Sequence, residues 1–85
     1  MPEICRFNGV VIAMFYREHG VAHFHAAFAG ERASIDIETG SVRGNLPPAT
    51  LRTVLEWAGV RRAELFENWE RARRNEPLKP VPPLD

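Results

Sequence analysis

The chain has 85 residues, with 11 Lys plus Arg against 11 Asp plus Glu, so its formal net charge is zero. A chain this short buries only about 60–65% of the surface it exposes when unfolded, which fits one domain with a modest core. Balanced charge excludes a polycation that coats nucleic acid over its whole surface, 45% hydrophobic content excludes a disordered chain, and a single cysteine excludes an internal disulfide or a multi-cysteine zinc site.

The opening "MPEICRFNG" carries early charges and no long apolar stretch, unlike a secretory leader. No apolar run nears the ~20 residues of a membrane helix. A cytoplasmic protein with no membrane partner is expected, with Cys5 as a small strand hydrophobe. Asn8-Gly9 lies between two apolar runs and signals a two-residue hairpin, because a type I′ turn needs positive φ at both central residues. Strand one is then about Ile4–Phe7 and strand two about Val10–Arg17. Strand two is apolar on both faces and should be central and well covered.

Residues 19–22 connect to "HFHAAFA", which alternates. His23, His25, Ala27 and Ala29 take one face; Phe24, Ala26 and Phe28 take the other. Gly30-Glu31 suits a II′ turn into "RASIDIE", where Ile35 and Ile37 share a face against Ser34, Asp36 and Glu38. A further Gly turn leads to a short strand near Ser41–Gly44. Pro47-Pro48 marks a helix start. Leu51, Leu55, Ala58, Arg62, Leu65, Trp69 and Ala72 then form one stripe at helical spacing. One helix over about 48–74 is expected, kinked or split at Gly59, a residue that costs about 1 kcal/mol relative to Ala in a helix interior. At ~1.5 Å per residue it would outreach five short strands, leaving apolar surface for another chain or a second copy. Trp57 lies off the stripe, and with Trp69 it is the candidate partner interface. Four prolines among the last nine residues exclude helix there. The fold class is α+β: an antiparallel meander of four to five strands packed against one long or broken C-terminal helix. Residues 1–76 form the domain and 77–85 an extended proline-rich arm, lying on its own domain or docking a partner.

All three histidines fall within seven positions, His19, His23 and His25. Closing the hairpin at Gly30-Glu31 sets Ala29 opposite Arg32, Phe28 opposite Ala33, Ala26 opposite Ile35 and Phe24 opposite Ile37. On the other face His25 then opposes Asp36, and His23 opposes Glu38, with Cβ atoms about 4.5–5.5 Å apart. A carboxylate beside an imidazole favours the imidazolium and fixes the tautomer. His23, His25, Asp36 and Glu38 are therefore catalytic candidates for acid–base cleavage of RNA without a cofactor, with Arg17 and Arg43 as phosphate-binding candidates. The same rings suit zinc or nickel, with His19, His23 and His25 as ligands and Asp36 or Glu38 completing the set. Ordinary cross-strand His–carboxylate pairs on a half-exposed sheet are the third alternative. The helix also carries Arg61, Arg62, Arg71, Arg73 and Arg74 interleaved with Glu64, Glu67 and Glu70, the pattern of a solvated face.

Taken together, "MPEICRFNGVVIAMF", "HGVAHFHA", "ASIDIETG", "LEWA", and "ELFENWERA" followed by "PLKPVPPL" resemble the bacterial family of uncharacterised proteins called domain of unknown function 4160 (DUF4160). The resemblance covers nearly the whole chain; His-Phe-His-Ala at 23–26 and the "EW…ENW" helix signature are its most specific parts. Val21-Ala22 stand where the family usually has prolines. The resemblance implies a toxin-like role in a two-gene toxin–antitoxin module, with a small cognate protein, commonly of uncharacterised family DUF2442, as partner. A non-catalytic antitoxin or adaptor module and a small metal-binding protein are the alternatives.

Overall fold

Two tight turns set the sheet. In the computed structural model, which describes residues 2–84, β1 (Glu3–Phe7) and β2 (Val10–Ala13) pair antiparallel and join through Asn8-Gly9. Both turn residues have positive φ, 49° and 80°, as a I′ turn requires. Met1 and Asp85, the outermost residues of the expected domain and arm, lie outside the described residues. The second turn differs from expectation. β3 (His23–Phe28) and β4 (Glu31–Asp36) join through Ala29-Gly30, with φ 50° and 85°, so that Phe28 opposes Glu31. This too has the positive φ pair of a I′ turn, one residue earlier than Gly30-Glu31.

That single step moves every cross-strand partner by two residues. Phe24 opposes Ile35, Ala26 opposes Ala33, His25 opposes Ser34 and His23 opposes Asp36. The expected His25–Asp36 and His23–Glu38 pairs do not form. Side chains stay on their expected faces, because a two-residue shift preserves the alternation. β5 (Val42–Gly44) pairs antiparallel with β4 and closes a meander in the order β1-β2-β3-β4-β5. Gly44 has φ 109°, and a Cβ placed on it would stand 2.5 Å from the Arg32 carbonyl oxygen. Only glycine fits that close approach.

β2 ends four residues sooner than expected. The Met14 N–H turns aside to the Pro2 carbonyl (3.1 Å), and Arg17 takes a left-handed conformation with φ 62°. The freed residues 14–22 form the connection that matters below.

The expected helix is two helices, α1 (Pro48–Val60) and α2 (Arg62–Arg73), which part at Arg61 rather than Gly59. A straight helix over residues 48–73 would run about 39 Å at about 1.5 Å per residue, beyond the 33 Å length of the molecule. The buried row keeps nearly the same helical phase across the break, rotated from the expected stripe toward Trp57. Val54, Trp57 and Ala58 are the buried residues of α1, while Leu51 and Leu55 are only half-buried. In α2 the buried face is Leu65, Asn68, Trp69 and Ala72. One core results, with Ile4, Val10, Ile12, Met14, Phe24, Ile35 and Ile37 of the strands and their margins packed against these helices. Cys5 is buried in it, and burial pushes its thiol up from the ordinary value.

Trp57 is fully buried, its ring 5.6 Å from Phe7 and 5.7 Å from Phe24, so it belongs to the core. Its off-stripe side is covered by the C-terminal segment. The indole N–H donates to the Pro82 carbonyl (2.8 Å), and the Arg61 guanidinium donates to the Pro82 and Pro83 carbonyls (3.1 Å each). The segment also takes one backbone bond from the sheet edge, Val81 N–H to the Ile4 carbonyl (2.8 Å). Buried Asn68 holds it from α2: the side-chain amide donates to the Lys79 carbonyl and accepts from the Lys79 N–H, both at 2.8 Å. Lys79 also bonds Glu67 (2.9 Å), which with Arg71 holds that carboxyl below its ordinary value.

Two stability predictions follow from these contacts. Asn68→Ala should cost about 1–3 kcal/mol in chemical denaturation, the usual cost of stranding buried hydrogen-bonding groups, and should speed proteolysis within 77–84. Gly44→Ala should destabilise by more than ~1 kcal/mol, since both the φ and the clash with Arg32 resist it; hydrogen exchange at the β4–β5 ladder would report the loss locally.

Candidate functional site

The sheet has a second face, turned away from the core residues Phe24, Ala26, Ala33 and Ile35. Register alone places its side chains. One row across the strands reads Ala13, His25, Ser34, Arg43, and the next reads Val11, Ala27, Arg32. Small residues thus form a floor between larger walls. The result is a trough of about 310 Å³, flanked by Phe15 and His25 on one side and by Arg32 and Arg43 on the other.

At the head of this trough the histidines meet a carboxylate from the 14–22 connection. Glu18 Oε1 lies 2.7 Å from His25 Nε2 and 3.2 Å from His23 Nε2. The two rings are 5.2 Å apart, edge to face. They differ in freedom. His23 is buried against the Trp69 indole (5.1 Å), and its Nδ1 donates to the Val21 carbonyl (2.7 Å). His25 is half-exposed, its side chain 32% accessible, with Phe15 edge-on at 4.7 Å. Among the described residues, Glu18, His23 and His25 are the group whose ligand-type atoms converge, all within 4.8 Å of one another.

The other sequence-stated candidates fall elsewhere. Asp36 opposes His23 in the ladder, but its carboxylate accepts from Arg43 Nη2 (3.0 Å). Glu38 is exposed beyond the end of β4. His19 is exposed and outside the converging group, which joins Glu18 to His23 and His25. Arg43 reaches the trough; Arg17 is an exposed turn residue that does not line it. Trp69 supports His23 from the core and, like Trp57, is buried.

Sequence reasoning missed Glu18, Phe15, Arg32 and Asn68. Arg32 was legible in principle, since it shares the His25 face by parity. Glu18 sits in an irregular connection, where no periodicity places a side chain.

These features define a small α+β protein with a carboxylate and two histidines gathered at the end of an antiparallel sheet. The family described as Domain of unknown function (DUF4160) matches residues 9–70, and the chain belongs to it. Comparison with curated proteins finds no match, and comparison with solved structures finds none. No helix of the described residues is long and apolar enough to cross a membrane.

The His23 bond fixes a tautomer. A carbonyl only accepts, so Nδ1 must carry the proton. Long-range nitrogen–proton NMR should show His23 protonated at Nδ1, and the Trp69→Leu substitution should broaden or shift that signal by loosening the ring. A His23 protonated at Nε2 alone would contradict the geometry.

Proposed function

We propose that this protein acts on RNA at the trough, as the toxin-like member of a two-gene module whose small cognate protein covers that face. The observation that carries the reading is a half-exposed imidazole, His25, bonded to a carboxylate and opening onto a concave surface with two arginines. An imidazole that gives its Nε2–H to Glu18 keeps Nδ1 as its basic nitrogen. Such a group takes the proton of a 2′-hydroxyl as that oxygen attacks the neighbouring phosphorus; the P–O5′ bond breaks, leaving a 2′,3′-cyclic phosphate, and the departing 5′-oxygen takes its proton from water, while guanidinium groups donate to the phosphate oxygens. Phe15 offers a ring edge or face to a base. His23, held by Val21 and Trp69, stands beside Glu18 and takes no proton in this step.

The charge pattern supports a local target rather than a long polyanion. Net charge is zero, and Arg43 is already shared with Asp36. The alternative, a non-catalytic antitoxin or adaptor module, would dock through surfaces other than the buried Trp57 and Trp69 rings.

Expression of the chain alone in bacteria should slow growth, and the purified protein should cleave RNA in vitro. His25→Ala should lower cleavage by about 10²–10⁴-fold, the usual contribution of a general base, and Arg43→Ala should weaken it through substrate binding. Growth that is unaffected, or toxicity unchanged in His25→Ala, would remove the catalytic reading.

A further inference from the structure

The contact between His23 and Glu18 poses a problem of protons. Because His23 Nδ1 donates to Val21, a neutral ring leaves Nε2 as a bare lone pair. That lone pair faces Glu18 Oε1 at 3.2 Å, and an ionised carboxylate oxygen is another acceptor. Two acceptors so placed repel unless something positive lies between them. The same oxygen also receives His25 Nε2 at 2.7 Å, so three donor atoms converge on one small volume.

We propose that Glu18, His23 and His25 bind a divalent first-row transition metal ion of the zinc class. Imidazole nitrogen and carboxylate oxygen are the ligand types that zinc and nickel accept, and two histidines with one glutamate are a ligand set that zinc uses where it retains a position for an exchangeable group. The spacing fits for the two pairs that include Glu18, and the two histidine nitrogens, within 4.8 Å of each other, close by rotation of the freer His25 ring. Ligands about 2.0–2.1 Å from a tetrahedral ion stand roughly 3.3 Å from one another. The His23–Glu18 separation already matches, and the His25–Glu18 pair opens by about half an ångström. The outer contacts fit as well: a metal-bound histidine characteristically donates its other ring N–H to a carbonyl or carboxylate, as His23 does to Val21. The exchangeable position falls on the side of half-exposed His25, at the head of the trough. This site uses the same side chains as the RNA reading without depending on it; a metal on His25 Nε2 leaves the ring proton on Nδ1, so the metal-bound and general-base states of His25 exclude one another.

The test uses the full chain without a histidine tag, stripped with a chelator and titrated with Zn²⁺, then Ni²⁺, by calorimetry; Co²⁺ absorption reads the coordination number. One ion per chain is expected, with cobalt bands of tetrahedral intensity. Glu18→Gln and His25→Ala should each weaken binding by at least about 100-fold, the upper range seen even for outer-shell changes, while His19→Ala should leave it intact. Should a variant fail to fold, the imidazole NMR signals of the unaltered chain give the same answer, since His23 and His25 must shift on zinc addition and His19 must not. Zinc binding weaker than about 100 µM, binding that survives both substitutions, or shifts confined to His19 would overturn the proposal and leave a proton as the group between His23 and Glu18. Metal binding without any effect on RNA would sink the RNA reading alone.

Discussion

The Trp57 indole has no contact with solvent, so its N–H must find an acceptor inside the protein. Helix α1 cannot supply one, because its carbonyls serve its own ladder. The sheet supplies aromatic surroundings in Phe7 and Phe24 but not the acceptor. The Pro82 carbonyl does. Proline suits this role: it has no N–H to satisfy and holds the chain extended with its carbonyls outward. Once the segment lies there, Arg61 bonds the Pro82 and Pro83 carbonyls, and α2 starts from that point. Asn68 then ties α2 back to Lys79, and Trp69, one residue on, meets His23. The orientation of the site histidine is thus linked, through one buried hydrogen bond and one bend, to residues near the other end of the chain.

Much of this was legible from the sequence, and the failures share a cause. Strand existence, the faces of β3 and β4 and the first turn follow from alternation and from Asn-Gly chemistry. Alternation has a period of two, so it fixes which face a residue takes and says nothing about shifts of two. The choice between Ala29-Gly30 and Gly30-Glu31 therefore rested on turn chemistry alone. There the structure uses alanine at φ 50°, a conformation that non-glycine residues rarely adopt. The apolar pairs are satisfactory in both registers: Phe24 meets an isoleucine either way, Ile37 or Ile35. Only the polar face records the difference, and it moves both expected carboxylates away from their histidines.

The helix shows the same limit in another form. A stripe at spacing 4, 3, 4, 3 describes a single straight cylinder. The molecule is shorter than that cylinder and the helix breaks at Arg61, yet one buried row, Val54, Ala58, Leu65, Trp69 and Ala72, runs through both halves. Trp57, off the straight stripe, becomes the centre of the core. Asn68, a polar residue on a buried face, is the one sequence sign that something other than a sheet covers α2.

The connection over residues 14–22 joins fold to chemistry. It contributes two groups to the site: the Glu18 carboxylate, and the Val21 carbonyl that fixes His23. These stand on either side of Gly20, whose φ of 92° reverses the chain between them. Either contact alone would leave the other group free to swing; together they define the loop and the ring at once. His25 lacks such an anchor beyond Glu18 and the Phe15 edge, and it is the more exposed ring. The site therefore couples a fixed imidazole, set by core and backbone, to an adjustable one facing the trough. That division suits a centre in which one ligand holds a charge in place while the other meets what arrives. Arg43, five donors in a rigid fork with Asp36 engaging one of its nitrogens, keeps donors for a single anionic group on the far wall. So limited a positive charge gives the trough few groups to pair and little general attraction for polyanions.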